Sequence, residues 1–168
     1  FETYGQIDSC NIFLKGRYVE VGINTNGAYG SSCGAPAGYH PKGATGVVDS
    51  CYGTCPNGNL GFVADPDKDG WTIGTPTYFG DYFMPGYPQE GWSIMSGGNQ
   101  ANAWNGGGEC STMTTNYPFS VVGFRGNNIS YISTSNKRTG IWQGSYDSLL
   151  ITQTTTIDTS KVFFTVYV

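Results

Sequence analysis

The sequence predicts an all-β chain, an antiparallel β-sandwich of supersandwich type with long Gly/Pro-rich loops, and three observations predict it. Twenty-six glycines and 15% aromatic residues stand beside only 12% charged residues in 168 positions, where an average soluble domain has about 7% glycine and about a quarter charged. Short runs of Val, Ile, Thr, Tyr and Phe recur between turn signals, the pattern of many short strands. No helical period of 3.6 is sustained over ten residues, and no repeat of fixed length occurs. A chain of this length can bury a sizeable core as one domain, so residues 1–168 are read as a single β-sandwich.

Asn11 to Leu14 and Arg17 to Asn24 form the first clear strand pair, separated by Lys15-Gly16. Leu60 to Ala64 is a short apolar strand that runs into an acidic loop. Phe119 to Arg125, Asn128 to Thr134, Thr139 to Gln143, Leu149 to Ile157 and Val162 to Val168 follow at the spacing of an antiparallel meander. Gly126-Asn127, between the first two of these, is a hairpin signal. Residues 26–59 and 65–108 hold most of the glycine and proline and are read as long functional loops. Val162 to Val168 has no charge or turn residue. An open edge of that kind aggregates unless it is paired or continued, so the chain is expected to be the N-terminal part of a longer polypeptide or to dock a partner subunit there. A buried central strand is the alternative.

Eight Lys and Arg against twelve Asp and Glu give a net charge of −4, which leaves no electrostatic footprint for nucleic acid or an anionic membrane. No apolar run approaches the roughly 18 residues that cross a bilayer, so membrane insertion is not expected. The first residues lack the charged and apolar segments of a signal peptide, so an exported chain is expected to have lost its signal already.

Cys10, Cys33, Cys51, Cys55 and Cys110 sit in turn-like stretches, which favours disulfides in an oxidising compartment. Zinc is the competing reading, but Cys51 and Cys55 form a lone pair four apart, and His40 lies eleven residues before them. An odd count leaves one thiol free or paired between chains. Cys51 with Cys55 is the expected pair, because a loop of that length closes easily around Gly53.

Asp65-Pro-Asp67-Lys-Asp69-Gly70-Trp71 is the sharpest local motif. Carboxylates at alternate positions followed by glycine match the first half of a calcium loop, where oxygen ligands converge over a tight turn. The twelfth position is Pro76, where an EF-hand needs a bidentate glutamate, so further ligands must come from elsewhere. The Trp71 carbonyl and Asp81 are the expected ones, with Glu90 a second carboxylate candidate. A solvated acidic turn balanced by Lys68 is the alternative.

Glycosidase chemistry needs two carboxylates about 5 to 9 Å apart, and Asp81, Glu90 and Glu109 lie among Trp71, Tyr78, Tyr82, Tyr87, Trp92 and Trp104. Nothing in the spacing selects a pair. There is no G-x-S-x-G elbow, and neither phosphate-binding glycine pattern follows a strand. The chain is therefore expected not to be an enzyme. Trp104, with Tyr78 and Tyr87, is the expected ligand platform, since rigid aromatic faces bind at low entropic cost. Trp71, Trp92 and Trp142 are expected to pack.

Three sets of segments carry a resemblance: Leu14 to Asn24 with Gly34 to Pro41; Leu60 to Trp71 with Gly80 to Gly86 and Glu90 to Trp92; and Trp142-Gln-Gly with Leu150-Ile-Thr-Gln-Thr154 and Val162 to Thr165. Together they resemble the N-terminal β-sandwich region of large Bacteroidota cell-surface proteins, type IX-secreted and often followed by PKD-type repeats, a group that includes gliding-type adhesins. The resemblance covers most of the chain and implies a non-catalytic, extracellular, surface-displayed adhesin domain for attachment or gliding, with a surface glycan or protein as ligand. It also implies Ser148 as an O-glycosylation acceptor in Asp147-Ser148-Leu149, although a turn into the next strand explains the same residues. Residues 51–56 are not part of the family pattern. A carbohydrate-binding or glycoside-hydrolase-associated module, with Asp81 or Glu90 as the acid, is the alternative.

Overall fold

A computed structural model describes residues 5–8, 11–31, 35–39, 60–64, 81–83, 91–104 and 126–168, as backbone alone at 5–8, 64, 81–83 and 102–104. Every regular element among them is a strand, and neighbouring strands pair antiparallel. The first sheet holds β1 (Gly5–Asp8), β2 (Asn11–Lys15), β3 (Val19–Ile23), β4 (Phe62–Ala64) and β5 (Asp81–Phe83), side by side in chain order. A separate hairpin joins β6 (Gly91–Ser96) to β7 (Asn99–Trp104). The last sheet holds β8 (Gly126–Ser133), β9 (Lys137–Tyr146), β10 (Leu149–Asp158) and β11 (Phe164–Tyr167), again in chain order.

Strand periodicity explains the core. Val19, Val21 and Ile23 of β3 and Ile12 and Leu14 of β2 project to one face, where they meet Ile157 of β10, as side chains two apart must. Tyr131 of β8 and Phe164 of β11 close the same cluster, so the first and last sheets bury apolar area against each other. The opposite face of the first sheet carries Phe13 and Val63 with Leu60, covered by Ala35 and Tyr39. Covered on both faces, β2 and β3 are almost continuously buried, which is why Asn11 and Glu20 lie inside despite their polarity.

The joint between the sheets is built around Trp142. Its indole is 1% exposed and stands edge-to-face on Trp92 of β6, centroids 5.4 Å apart, within a cluster shared with Ala101 and Ile151. The indole N–H donates to the Thr25 carbonyl at 2.8 Å, and the Gly126 N–H donates to the same oxygen at 3.2 Å. Thr25 belongs to the turn that ends β3. There the Asn24 side-chain oxygen accepts from the N–H groups of Asn26 (2.8 Å) and Ala28 (3.3 Å), and Gly27 takes a positive φ of 74° against the indole face. Asn128 of β8 adds two donations, to the carbonyls of Ile23 and Asn24 at 3.2 and 3.3 Å.

Burial on β10 alternates strictly from Ile151 to Ile157, with Gln153 and Thr155 on the inward side. Buried polar groups must find partners, and Tyr29 supplies them. Its hydroxyl lies 3.0 Å from the Thr155 hydroxyl and accepts from the Gln153 amide at 3.2 Å.

Two sequence expectations change. Gly126-Asn127 is not a turn, because both residues lie within β8 and pair with Gly144 and Gln143 of β9. The glycine is there for space, since a Cβ at 126 would sit 2.3 Å from the Trp142 ring and from the Gln143 carbonyl. The turn into β9 follows instead, where the Thr134 N–H donates to the Lys137 carbonyl at 2.9 Å and the Thr134 hydroxyl accepts from the Lys137 N–H at 3.1 Å. Within 65–108, read as loop, residues 81–83 and 91–104 form strands. The alternation of Trp92 and Ile94 with exposed neighbours drives β6 onto the Trp142 cluster. Gly97 and Gly98, at positive φ of 56° and 82°, make its hairpin turn. The expected strand at 119–125 lies outside the described residues.

Trp142→Ala is expected to lower unfolding free energy by about 3–5 kcal/mol, and Gly126→Ala by about 1–3 kcal/mol through overpacking. Urea denaturation checks both, and losses under about 1 kcal/mol at both positions would remove Trp142 from its place as the joint.

Candidate functional site

Asp65, Asp67, Asp69, Trp71, Tyr78, Tyr87, Glu90, Cys51 and Cys55 lie outside the described residues. Asp81 opens β5 opposite Val63, at a register shift, and Trp104 closes β7 opposite Gly91, so these two belong to different sheets. No group of three His, Cys, Asp or Glu side chains capable of holding a metal occurs among the described residues. Ser148 is exposed in the two-residue turn between Tyr146 and Leu149. Its neighbour Asp147 takes φ 54°, a left-handed conformation that Asp tolerates better than most residues, and its carboxylate accepts from the Ser96 hydroxyl at 3.1 Å.

Two constellations have chemistry. The first is a clasp under residues 35–39. Lys15 and Glu20 face each other across β2 and β3 and form an ion pair at 2.9 Å, with the Glu20 side chain fully buried. The Lys15 ammonium also donates to the Gly38 carbonyl and lies 5.9 Å from the Tyr39 ring centroid. Burial, and then the charge of Glu20, pushes the Tyr39 phenol well above its usual range, and its hydroxyl finds no hydrogen-bond partner among the described residues. A sealed carboxylate neutralised by an ammonium is poorly placed to meet a substrate. Its physical effect is to tie 35–39 onto the sheet.

The second is the outward face of β8–β11. Cross-strand partners share a face, so the inward burial of Ile151, Gln153, Thr155 and Ile157 fixes which residues point out. One outward row runs Ser130, Ile141, Thr154, Tyr167, and the next runs Ile132, Thr139, Thr156, Thr165. A third pairs Asn127, Gln143 and Thr152. The Thr139 and Thr156 hydroxyls lie 3.1 Å apart, and the Gln143 amide donates to the Thr152 hydroxyl at 3.1 Å. These rows present hydroxyls, amides, two isoleucines and a phenol that is 78% exposed. They contain no charge. Charge lies beyond the rows, at Lys137 opposite Asp158 at one end and at Asp147 in the turn at the other. The N–H and hydroxyl of Ser160, then the lysines 161 and 137, hold the Asp158 carboxyl below its usual range.

This face was missed in the sequence reading, although Thr152-x-Thr154-x-Thr156 is a period-two signal for it. Trp92 and Trp142 pack as expected. Compared with protein-family models, with curated proteins and with solved structures, the chain finds no match, and the functional reading therefore rests on geometry and sequence.

Removing the clasp's cation by Lys15→Met leaves Glu20 buried without its counter-charge and is expected to cost about 3 kcal/mol. Tyr39→Phe, which deletes a hydroxyl with no partner among the described residues, is expected to be neutral or stabilising. Thermal melts of the two variants check this, and the reverse order of stability would contradict it.

Proposed function

We propose that this chain is a non-catalytic, extracellular binding domain of the adhesin type, a β-sandwich that attaches to neutral, hydroxyl-rich glycan surfaces through the outward face of β8–β11. The observation that carries the reading is the charge-free grid of Thr139, Gln143, Thr152, Thr154, Thr156 and Thr165 with Tyr167 beside it. Alternate residues along a strand stand about 6.7 Å apart and neighbouring strands about 4.8 Å apart. Such a grid offers many weak, direction-specific hydrogen bonds and an aromatic face for a sugar ring. The sandwich reading is supported by the apolar cluster that both large sheets share.

The resemblance to surface adhesins and the exposure of Ser148 fit the same picture, with Ser148 as a site for O-linked sugar outside the proposed face. Calcium at Asp65, Asp67 and Asp69, with Asp81 and the Trp71 carbonyl, would tie the segment that follows β4 to β5, and a Cys51–Cys55 disulfide would link two positions four apart before it.

The binding test is a glycan array, followed by titration with a neutral polysaccharide. Retention should be unchanged between about 50 mM and 500 mM salt, because screening acts on charges and this face has none. Thr154→Glu should lower affinity more than about tenfold while leaving the melting temperature within a few degrees. Retention on acidic glycans alone, lost with salt, would contradict the reading, and turnover abolished by Asp81→Asn or Glu90→Gln would favour the hydrolase-associated alternative. For the ion, calcium is expected to raise the melting temperature and a chelator to reverse it, since a ligand bound only by the folded state stabilises it. An unchanged melt would remove calcium from the proposal.

A further inference from the structure

We propose that the outward face of β8–β11 is built for one class of glycan, a linear neutral chain of equatorially linked pyranoses that lies across the strands with one sugar over each strand. This rests on the glycan reading of the face and adds to it the ligand's linkage, length and direction.

The outward rows differ in kind. The middle row, Ser130, Ile141, Thr154 and Tyr167, carries the aliphatic side chain of Ile141 and the ring of Tyr167, which is 78% exposed. Thr154 lies between these two, and the small Ser130 stands at the β8 end. On one side of this row are Thr139, Thr156 and Thr165, with Ile132 at the β8 end. On the other are Asn127, Gln143 and Thr152. A track with an aliphatic and an aromatic group at its centre thus crosses the sheet between two hydrogen-bonding borders. The borders are set in place by their own contacts. The Thr139 and Thr156 hydroxyls lie 3.1 Å apart, the Gln143 amide donates to the Thr152 hydroxyl at 3.1 Å, and the Thr165 hydroxyl donates to the Thr156 carbonyl at 3.5 Å. Side chains ordered in advance lose less entropy when a ligand binds.

This pattern matches one kind of sugar chain. A pyranose with equatorial substituents has apolar C–H faces and a rim of hydroxyls, so it lays a face on aliphatic and aromatic groups and turns its rim to polar ones. Equatorial linkage on both sides of each ring keeps the chain a flat ribbon, which advances per sugar by close to one strand spacing, about 4.8 Å. An axial linkage coils the chain away from a flat track. The other direction, along β10, offers Thr152, Thr154 and Thr156 without an aromatic ring, at a wider repeat of about 6.7 Å. The four strands of this sheet give four sugar positions, the last of them on Tyr167.

Calorimetric titration of the 168-residue chain with cello-oligosaccharides of two to six sugars, and with maltohexaose, tests the assignment. Affinity is expected to rise about tenfold or more from two sugars to four and to level off beyond four, with cellohexaose more than about tenfold tighter than the axially linked maltohexaose. Tyr167→Ala should remove most of the gain from the fourth sugar, whereas Tyr167→Phe, which keeps the ring face, should retain it. Affinity independent of length, equal binding of maltohexaose, or a Tyr167→Ala chain that keeps the four-sugar affinity overturns the inference and leaves the neutral-glycan reading standing. Failure to retain any neutral glycan on the array overturns both.

Discussion

One carbonyl, that of Thr25, holds the described structure together, because it accepts both the Trp142 indole N–H and the Gly126 backbone N–H. It belongs to the turn that ends β3, and both donors belong to the last sheet. Leaving a buried indole N–H unpaired is costly, and this turn supplies its acceptor at 2.8 Å. The side chains of Asn24 and Asn128 then fix the turn from within and from outside. The β6–β7 hairpin is held secondarily, through Trp92 against the same indole and Ile94 in the same cluster. A fault at the joint would therefore reach all three sheets.

From that joint the outward face follows. With Trp142 turned in, β9 must present Ile141 and Gln143 outward, and the unshifted register carries the parity across β10 to β11. On the β8 side the parity survives only because one residue is bulged out at Ile129, between Asn128 and Ser130. The hydroxyl grid is thus a consequence of one buried aromatic and a period of two. Its lack of charge separates it from most sheet surfaces, where charges interspersed with polar groups maintain solubility and block edge pairing.

Much of this was legible in the residues. β2, β3, β9 and β10 are runs of β-branched and aromatic side chains between turns, and their existence follows from composition and period alone. Polar residues were harder to read. Glu20 looks like an outward residue of an amphipathic strand, and nothing local reveals that 35–39 would cover it. Glycine misled twice, for different physical reasons. Gly126 reads as a turn because turns are the commonest use of Gly-Asn, yet its hydrogen serves to admit an indole. Gly97 and Gly98 are turn residues, but in a stretch so rich in glycine the two strands beside them were read as loop. The acidic, cysteine and aromatic positions that stand out in the sequence, Asp65 to Trp71, Cys51, Cys55, Tyr78 and Tyr87, lie outside the described residues. The candidate site is instead a sheet face whose signal, threonine at every second position from Thr152 to Thr156, resembles ordinary strand patterning.

Backbone amide NMR during titration with a neutral polysaccharide tests the central claim most directly, because it locates contact without a substitution. The account predicts shift changes concentrated at 139–143, 152–156 and 165–167, the outward rows of β9, β10 and β11. Changes confined to 65–108, with those three segments unmoved, would contradict it and return the ligand site to the aromatic and acidic segment that follows β4.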